Sequence, residues 1–116
     1  MRKIPILLTV LLLGCWPYPS MKTVDRLRDR VQKTLRLPQD DFHIPVLIHG
    51  EGSKTVIDGN GGITIHLQKD YTYMILVHEI CHAVQWHHQQ EFNERECIGV
   101  ATNFELQRRR RGIWVD

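Results

Sequence analysis

The segment from Val77 to Gln85, VHEICHAVQ, carries two histidines and a glutamate inside an otherwise apolar stretch. His78 and His82 are four residues apart, a spacing that stacks two side chains one helical turn apart on the same face. Two neutral imidazoles placed in this way can hold one divalent ion, and they suit Zn²⁺. Glu79 lies about 100° around the helix from His78. The spacing therefore predicts a zinc site in which Glu79 is the general base that takes a proton from a zinc-activated water.

A catalytic zinc commonly has three protein ligands and one open position, so a third ligand must come from elsewhere. Glu94 is the preferred candidate, because it precedes a helical stripe of small residues that includes Cys97. Glu96 is the alternative, although its spacing from Asn93 also fits a capping box. If the motif helix continues to His88, Glu94 would lie close to the turn, and Glu96 would then be the better placed of the two.

His88 is a less favoured third ligand. It follows His82 by six residues, which is the histidine spacing of the metzincin pattern, but that pattern has glycine at the position of Gln85. Without the turn that glycine allows, His88 lies about 120° around the helix from His82. The pattern also requires a later methionine turn, and no methionine follows Met74.

The residues from His78 to His82, together with Glu94-x-Glu96-Cys97 and the apolar and small residues after it, resemble the gluzincin branch of the zincin metallopeptidases. The similarity is greatest to small single-domain proteins of bacteria and phages, in which alanine often holds the position of Cys97. It covers roughly residues 60 to 105. The resemblance implies Zn²⁺ as cofactor, a peptide or protein substrate, and hydrolysis of the peptide bond by an activated water.

Zincins commonly bind the substrate along an edge strand, and Ile63–Leu67 is the candidate strand here. His66, Tyr71 and Tyr73 are candidates for stabilising the oxyanion, although a plain structural role is the favoured interpretation of each. A zincin-like module that binds zinc without catalysis is the alternative function, and the small size of the chain supports it. The presence of Glu79 favours the enzyme, because a structural site has no use for a base.

The pattern of apolar residues and breakers predicts an α+β fold over residues 20–116, and the resemblance implies that this is a minimal zincin-like domain. A small three-stranded sheet is expected between an N-terminal helix and two further helices. The predicted elements are a helix from the Ser20 cap to about Leu37, strands at Phe42–Ile48, Lys54–Ile57 and Ile63–Leu67, a helix from Tyr71 (capped by Asp70) to about His87, and a helix from about Asn93 to Arg111.

The first fifteen residues are predicted to be a secretory signal. Arg2 and Lys3 precede the apolar run Ile4–Leu13, and Leu12-Leu13-Gly14-Cys15 resembles a lipobox, in which the cysteine is lipidated after cleavage. The expected location is therefore outside the cytoplasm, as a membrane-anchored lipoprotein or a periplasmic or extracellular protein. A cytoplasmic protein is the alternative.

The net charge of +2 depends on the run Arg108–Arg111, without which the chain is slightly acidic. A nucleic-acid partner is therefore not expected. The run is interpreted as a solvated helix end, and contact with anionic lipid is a second hypothesis. Cys81 and Cys97 are expected to be small packed thiols, although an exported protein could pair them as a disulfide.

Overall fold

The computed structural model describes residues 19–111, so the predicted signal and Cys15 lie outside the described part of the chain. The predicted α+β fold is confirmed. The elements in chain order are α1 (Met21–Thr34), β1 (Val46–His49), β2 (Lys54–Ile57), β3 (Ile63–Gln68), α2 (Tyr73–His87) and α3 (Glu94–Arg111). None of these three helices combines the length and apolar character needed to cross a bilayer.

Side-chain caps determine where α1 and α2 begin. The Ser20 hydroxyl accepts a backbone amide of the first turn of α1 at 3.0 Å, as predicted. The start predicted for α2 is wrong by two residues, because Thr72 rather than Asp70 caps it and accepts the amide of Ile75 at 3.2 Å. The Asp70 carboxylate instead accepts a hydrogen bond from the side chain of Gln68.

Both α1 and α2 end in a turn that requires a residue in the left-handed region, and neither turn uses glycine. Arg36 and Gln89 hold this position, each with φ 58°. After α2, the amide of Gln90 donates to the carbonyl of Gln85 at 2.8 Å and closes the helix. The same turn ends α1 at Thr34, about three residues earlier than predicted.

The three strands form one sheet in the order β1-β3-β2. β1 pairs with β3 in parallel, and β2 pairs with β3 as an antiparallel hairpin. The first strand is a short edge strand that begins after Pro45 rather than at Phe42, because proline has no amide proton for a ladder. The expectation that Ile63–Leu67 forms an edge strand is wrong, since β3 is central and its backbone groups are used on both sides.

Helix α2 is the centre of the molecule and packs against α1, α3, β2 and β3. Its apolar residues face several directions, and most are fully buried. These residues are Leu76, Val77, Ile80, Ala83 and Val84. A helix that is apolar around most of its circumference belongs in a core. The polar side chains of the same helix are therefore held by closely packed surroundings.

Cys81 of α2 and Cys97 of α3 form a disulfide, with their Cα atoms 5.5 Å apart. The expectation of two separate thiols is wrong. Both residues are fully buried where the two helices meet, and their Cα separation lies in the range that a disulfide requires. The bond links the helix that carries the histidine pair to the helix that begins with Glu94.

Candidate functional site

Two imidazoles of α2 and one carboxylate of α3 converge on one point. Nε2 of His78 lies 3.2 Å from Nε2 of His82 and 3.2 Å from Oε1 of Glu94. The same oxygen contacts Nε2 of His82. All three ligand atoms lie within 4.8 Å of one another. Ligands bound to zinc at 2.0–2.1 Å in a tetrahedral arrangement are roughly 3.4 Å apart, so these residues fit a divalent ion.

Gln85 lies beside His82 and has a side-chain amide of fixed orientation. Its Oε1 accepts the backbone amide of Asn93 at 3.1 Å. Its Nε2 donates to Oε1 of Glu96 at 2.9 Å and to the carbonyl of Asn93 at 3.3 Å. Because the side chain is fully buried, these partners decide which end of the amide is oxygen.

This orientation fixes the tautomer of His82. Nδ1 of His82 lies 2.9 Å from Oε1 of Gln85 and must donate a proton to it. In the neutral ring, Nε2 then carries the lone pair and faces Glu94. A metal-binding histidine commonly donates its other ring N–H to such an acceptor. His82 is therefore held in the form that binds a metal through Nε2.

The charge of Glu94 also suits a ligand. The close contact with the His82 ring lowers the pKa of the Glu94 carboxyl, and contacts with His78 lower it further, while slight burial opposes this shift. The carboxylate is therefore ionised throughout the neutral range. Its side chain remains 69% exposed, so it closes the ligand set from the solvent side.

Glu79 lies next to this point and is held by a residue of β2. Oγ1 of Thr55 lies 2.7 Å from Oε1 of Glu79 and 3.0 Å from its backbone carbonyl. The side chain is nearly buried but borders an open cleft of about 430 Å³. The hydrogen bond from Thr55 thus occupies Oε1 of this carboxylate and not Oε2.

The cleft has walls of different character. Its lining includes Ser53–Thr55 and Phe92, whose ring centroid lies 4.9 Å from that of His82. A second hollow of about 360 Å³ adjoins His78 and Glu79. Its other lining residues are mainly apolar: Met74, Ile75, Ile98 and Ala101, with Ser53 and Gln68 at the edge.

The other candidate ligands lie elsewhere. Glu96 is outside the ligand cluster because its carboxylate accepts the Gln85 amide, so it does not provide the third ligand atom in this arrangement. Its backbone amide bonds to Oδ1 of Asn93 at 2.9 Å, which is half of the expected capping box. His88 lies beyond the end of α2, where its Nε2 is 2.7 Å from the side chain of Gln32.

The three candidates for oxyanion stabilisation do not line the cleft. His66 pairs with His49 of the neighbouring strand at 2.8 Å between ring nitrogens. Tyr71 and Tyr73 are buried in the core, and burial raises the pKa of the Tyr71 hydroxyl. A role of any of the three in stabilising an oxyanion stays a prediction.

The arginine run at the end of α3 is partly neutralised. Arg108 forms a bidentate pair with the nearly buried carboxylate of Glu105, and Arg109 approaches the same carboxylate at 3.4 Å. Hydrogen bonds from Arg108 lower the pKa of Glu105, so this carboxyl is ionised at neutral pH. Arg110 and Arg111 are exposed and are the members of the run best placed to meet a surface.

Sequence reasoning missed three residues of the site. Thr55 belongs to an ordinary strand pattern and gives no signal of contact with Glu79. Phe92 lies in a connecting segment and has no periodic pattern to place it. Gln85 was noticed only as a departure from glycine, although its position three residues after His82 puts it within reach of that ring on a helix.

In comparisons with known proteins, no family model, curated protein or solved structure matches the chain.

Proposed function

We propose that this protein is a zinc-dependent metallopeptidase of the gluzincin type. One observation carries the proposal: His78, His82 and Glu94 converge at an open cleft, with the carboxylate of Glu79 beside them. A purely structural metal site would need neither the cleft nor the additional carboxylate. When bound, a zinc ion would supply Lewis-acid activation of a water molecule and of the scissile carbonyl.

The chain's own groups would then move the proton. Oε2 of Glu79 accepts a proton from the attacking water and later delivers it to the nitrogen of the leaving amine. Thr55 orients this carboxylate through its hydrogen bond to Oε1. The near burial of Glu79 limits the number of rotamers that it can adopt and holds it beside the reacting atoms.

The substrate would lie along β2. Within residues 19–111, this strand pairs only with β3, so its outer edge can bond to an extended peptide. Ser53–Thr55 border the cleft at this edge. The neighbouring hollow, with Met74 and Ile98 in its wall, would receive an apolar side chain of the substrate. We therefore expect cleavage next to apolar residues.

We also propose that the protein works outside the cytoplasm. The disulfide between Cys81 and Cys97 supports an oxidising location, because such bonds are rare in the cytosol. The lipobox-like segment ending at Cys15 points to a membrane anchor, and the exposed Arg110 and Arg111 would add attraction to anionic lipid.

Replacing Glu79 with glutamine tests the proposed reaction. We expect Glu79→Gln to retain the zinc content of the wild type and to lower peptide hydrolysis by about 10²–10⁴-fold, because the amide cannot accept the proton. The measurement is cleavage of an internally quenched peptide library, with metal content determined on the same samples. Glu91→Gln, a change at an exposed position, is the control and should leave both quantities unchanged.

Hydrolysis that survives in Glu79→Gln would contradict the proposed base. Loss of zinc from the same variant would show that Glu79 is a ligand instead. A wild-type protein that binds zinc but cleaves no member of the library would favour the alternative, a zincin-like binding module.

A further inference from the structure

A second group of metal-ligating side chains lies where the connection after α1 passes the end of α2. Oδ2 of Asp40 is 2.9 Å from Nε2 of His87 and 4.0 Å from Nδ1 of His88. Ligand atoms of these three residues all lie within 4.8 Å of one another. His87 follows His82 by five residues, which places it about 7 Å further along the helix axis and about 140° around it. The group is therefore separate from the first site.

A buried glutamine of α1 fixes one ring of this group. Gln32 is fully buried, and its side-chain amide bonds to the backbone of Asp40 through both ends. Its Oε1 accepts the Asp40 amide at 3.2 Å, and its Nε2 donates to the Asp40 carbonyl at 3.0 Å. These two bonds decide which end of the side chain is oxygen.

The tautomer of His88 follows from this orientation. Nε2 of His88 lies 2.7 Å from Oε1 of Gln32 and must donate a proton to it. Nδ1 then carries the lone pair in the neutral ring and faces the carboxylate of Asp40. The side chain of His88 is only 8% exposed, and its Nδ1 lies 4.0 Å from Oδ2 of Asp40.

A lone pair and a carboxylate oxygen that face each other repel, and a cation bound between them would turn this repulsion into attraction. The 4.0 Å separation is too long for a hydrogen bond. One ion bound at about 2.0–2.1 Å to each atom can span up to about 4 Å.

The other ligands are also held in place. The ring of His87 stacks on Phe42 with the two planes parallel. The backbone of Asp40 is fixed by Gln32. The arrangement repeats that of the first site, where Gln85 bonds to the backbone of Asn93 and fixes the tautomer of His82. In both places, a helix glutamine forms hydrogen bonds to the backbone of a connecting segment and accepts a proton from one imidazole nitrogen. The other nitrogen of that ring is then available to bind a metal.

We propose that Asp40, His87 and His88 form a second site for a divalent cation of the zinc class, independent of the site at His78, His82 and Glu94. Two imidazoles and one carboxylate are the donor set that zinc accepts, and water would complete its coordination. An ion bound here would join the segment after α1 to the end of α2. The proposal does not depend on peptidase activity.

Zinc titration of metal-free full-length protein tests this site, with bound ions per chain as the readout. The wild type should bind two zinc ions. Asp40→Asn/His87→Ala should bind one, and His78→Ala/Glu94→Ala should also bind one, held at the second site. His49→Ala alters a histidine that lies outside both ligand groups, and this control should still bind two ions.

Equal zinc binding by Asp40→Asn/His87→Ala and the wild type would overturn the second site. If that variant does not fold, His78→Ala/Glu94→Ala decides the matter: zinc should raise its unfolding temperature, and the absence of both binding and stabilisation would reject the proposal. A different result would show that the first site binds no zinc. In that case His78→Ala/Glu94→Ala would bind as many ions as the wild type, while Asp40→Asn/His87→Ala would still lose one.

Discussion

At the scale of single residues, the proposed chemistry depends on which ring nitrogen keeps its proton. The sequence predicts the pair His78 and His82 because a four-residue spacing is visible in the letters and has a fixed meaning on a helix. It does not predict that Gln85 orients one of these rings. That role depends on Asn93, whose backbone fixes the amide, and such a contact between two segments leaves no periodic signal.

Substituting Gln85 tests this role. We expect Gln85→Leu to weaken zinc binding at the first site by about 10–100-fold, as is typical when a histidine ligand loses its hydrogen-bond partner. The measurement is chelator competition, with the unfolding of the metal-free protein followed separately. Gln107→Leu is the control, because Gln107 bonds to Arg30 instead and should not affect zinc. Unchanged affinity in a folded Gln85→Leu protein would contradict the role.

At the scale of elements, the types of the helices and strands were predictable, but the sheet order was not. The apolar patterns and the glycine-rich turn between Lys54–Ile57 and Ile63–Leu67 indicate a hairpin, and the structure has one. The pairing of β1 with β3 rather than β2 is a long-range choice that local patterns do not encode. For this reason, the sequence predicts a sheet edge at Ile63–Leu67, whereas the structure has β2 at the edge and β3 in the centre.

The helix ends show the same limit. Arg36 and Gln89 adopt left-handed conformations that are usually signalled by glycine. The close approach of Cys81 and Cys97 was also hidden, because two buried thiols and a disulfide have the same apolar pattern in sequence. The disulfide nevertheless contributes directly to the site, since it links α2 to the start of α3.

Breaking this bond should loosen both the fold and the metal site. We expect Cys81→Ala/Cys97→Ala to lower the free energy of unfolding by about 3 kcal/mol, given the length of the closed loop. Zinc affinity should fall as well, because Glu94 is no longer tethered to α2. A phosphine reductant should reproduce both effects in the wild type and leave the double variant unchanged. A wild type that is insensitive to the reductant would contradict this account.

At the scale of the whole molecule, one central helix serves both the core and the site. The sequence could predict this arrangement for α2, because polar groups inside an apolar stretch are costly without partners. The sequence could not predict which arginines of the run Arg108–Arg111 form ion pairs. Only the fold brings Glu105 into a nearly buried position, where it pairs with Arg108 and leaves Arg110 and Arg111 exposed.

The proposed membrane anchor is tested at this scale. In cells that produce the full chain, we expect the wild type in the membrane fraction and Cys15→Ser outside it, because the serine cannot carry the acyl chain. Immunoblotting of the separated fractions is the measurement. Arg110→Ser/Arg111→Ser should remain with the membrane, since the acyl chain is the main anchor. Equal distribution of the wild type and Cys15→Ser would contradict the anchor.

The central claim is that α2 and α3 together hold one zinc ion, through His78, His82 and Glu94. The most direct test compares the zinc content of Glu94→Gln with that of Glu96→Gln. The two substitutions are of the same kind, and both replace an exposed glutamate in the same turn of α3. The account predicts that Glu94→Gln loses one bound ion relative to the wild type and that Glu96→Gln loses none. Full zinc content in Glu94→Gln, or loss of the ion only in Glu96→Gln, would contradict it.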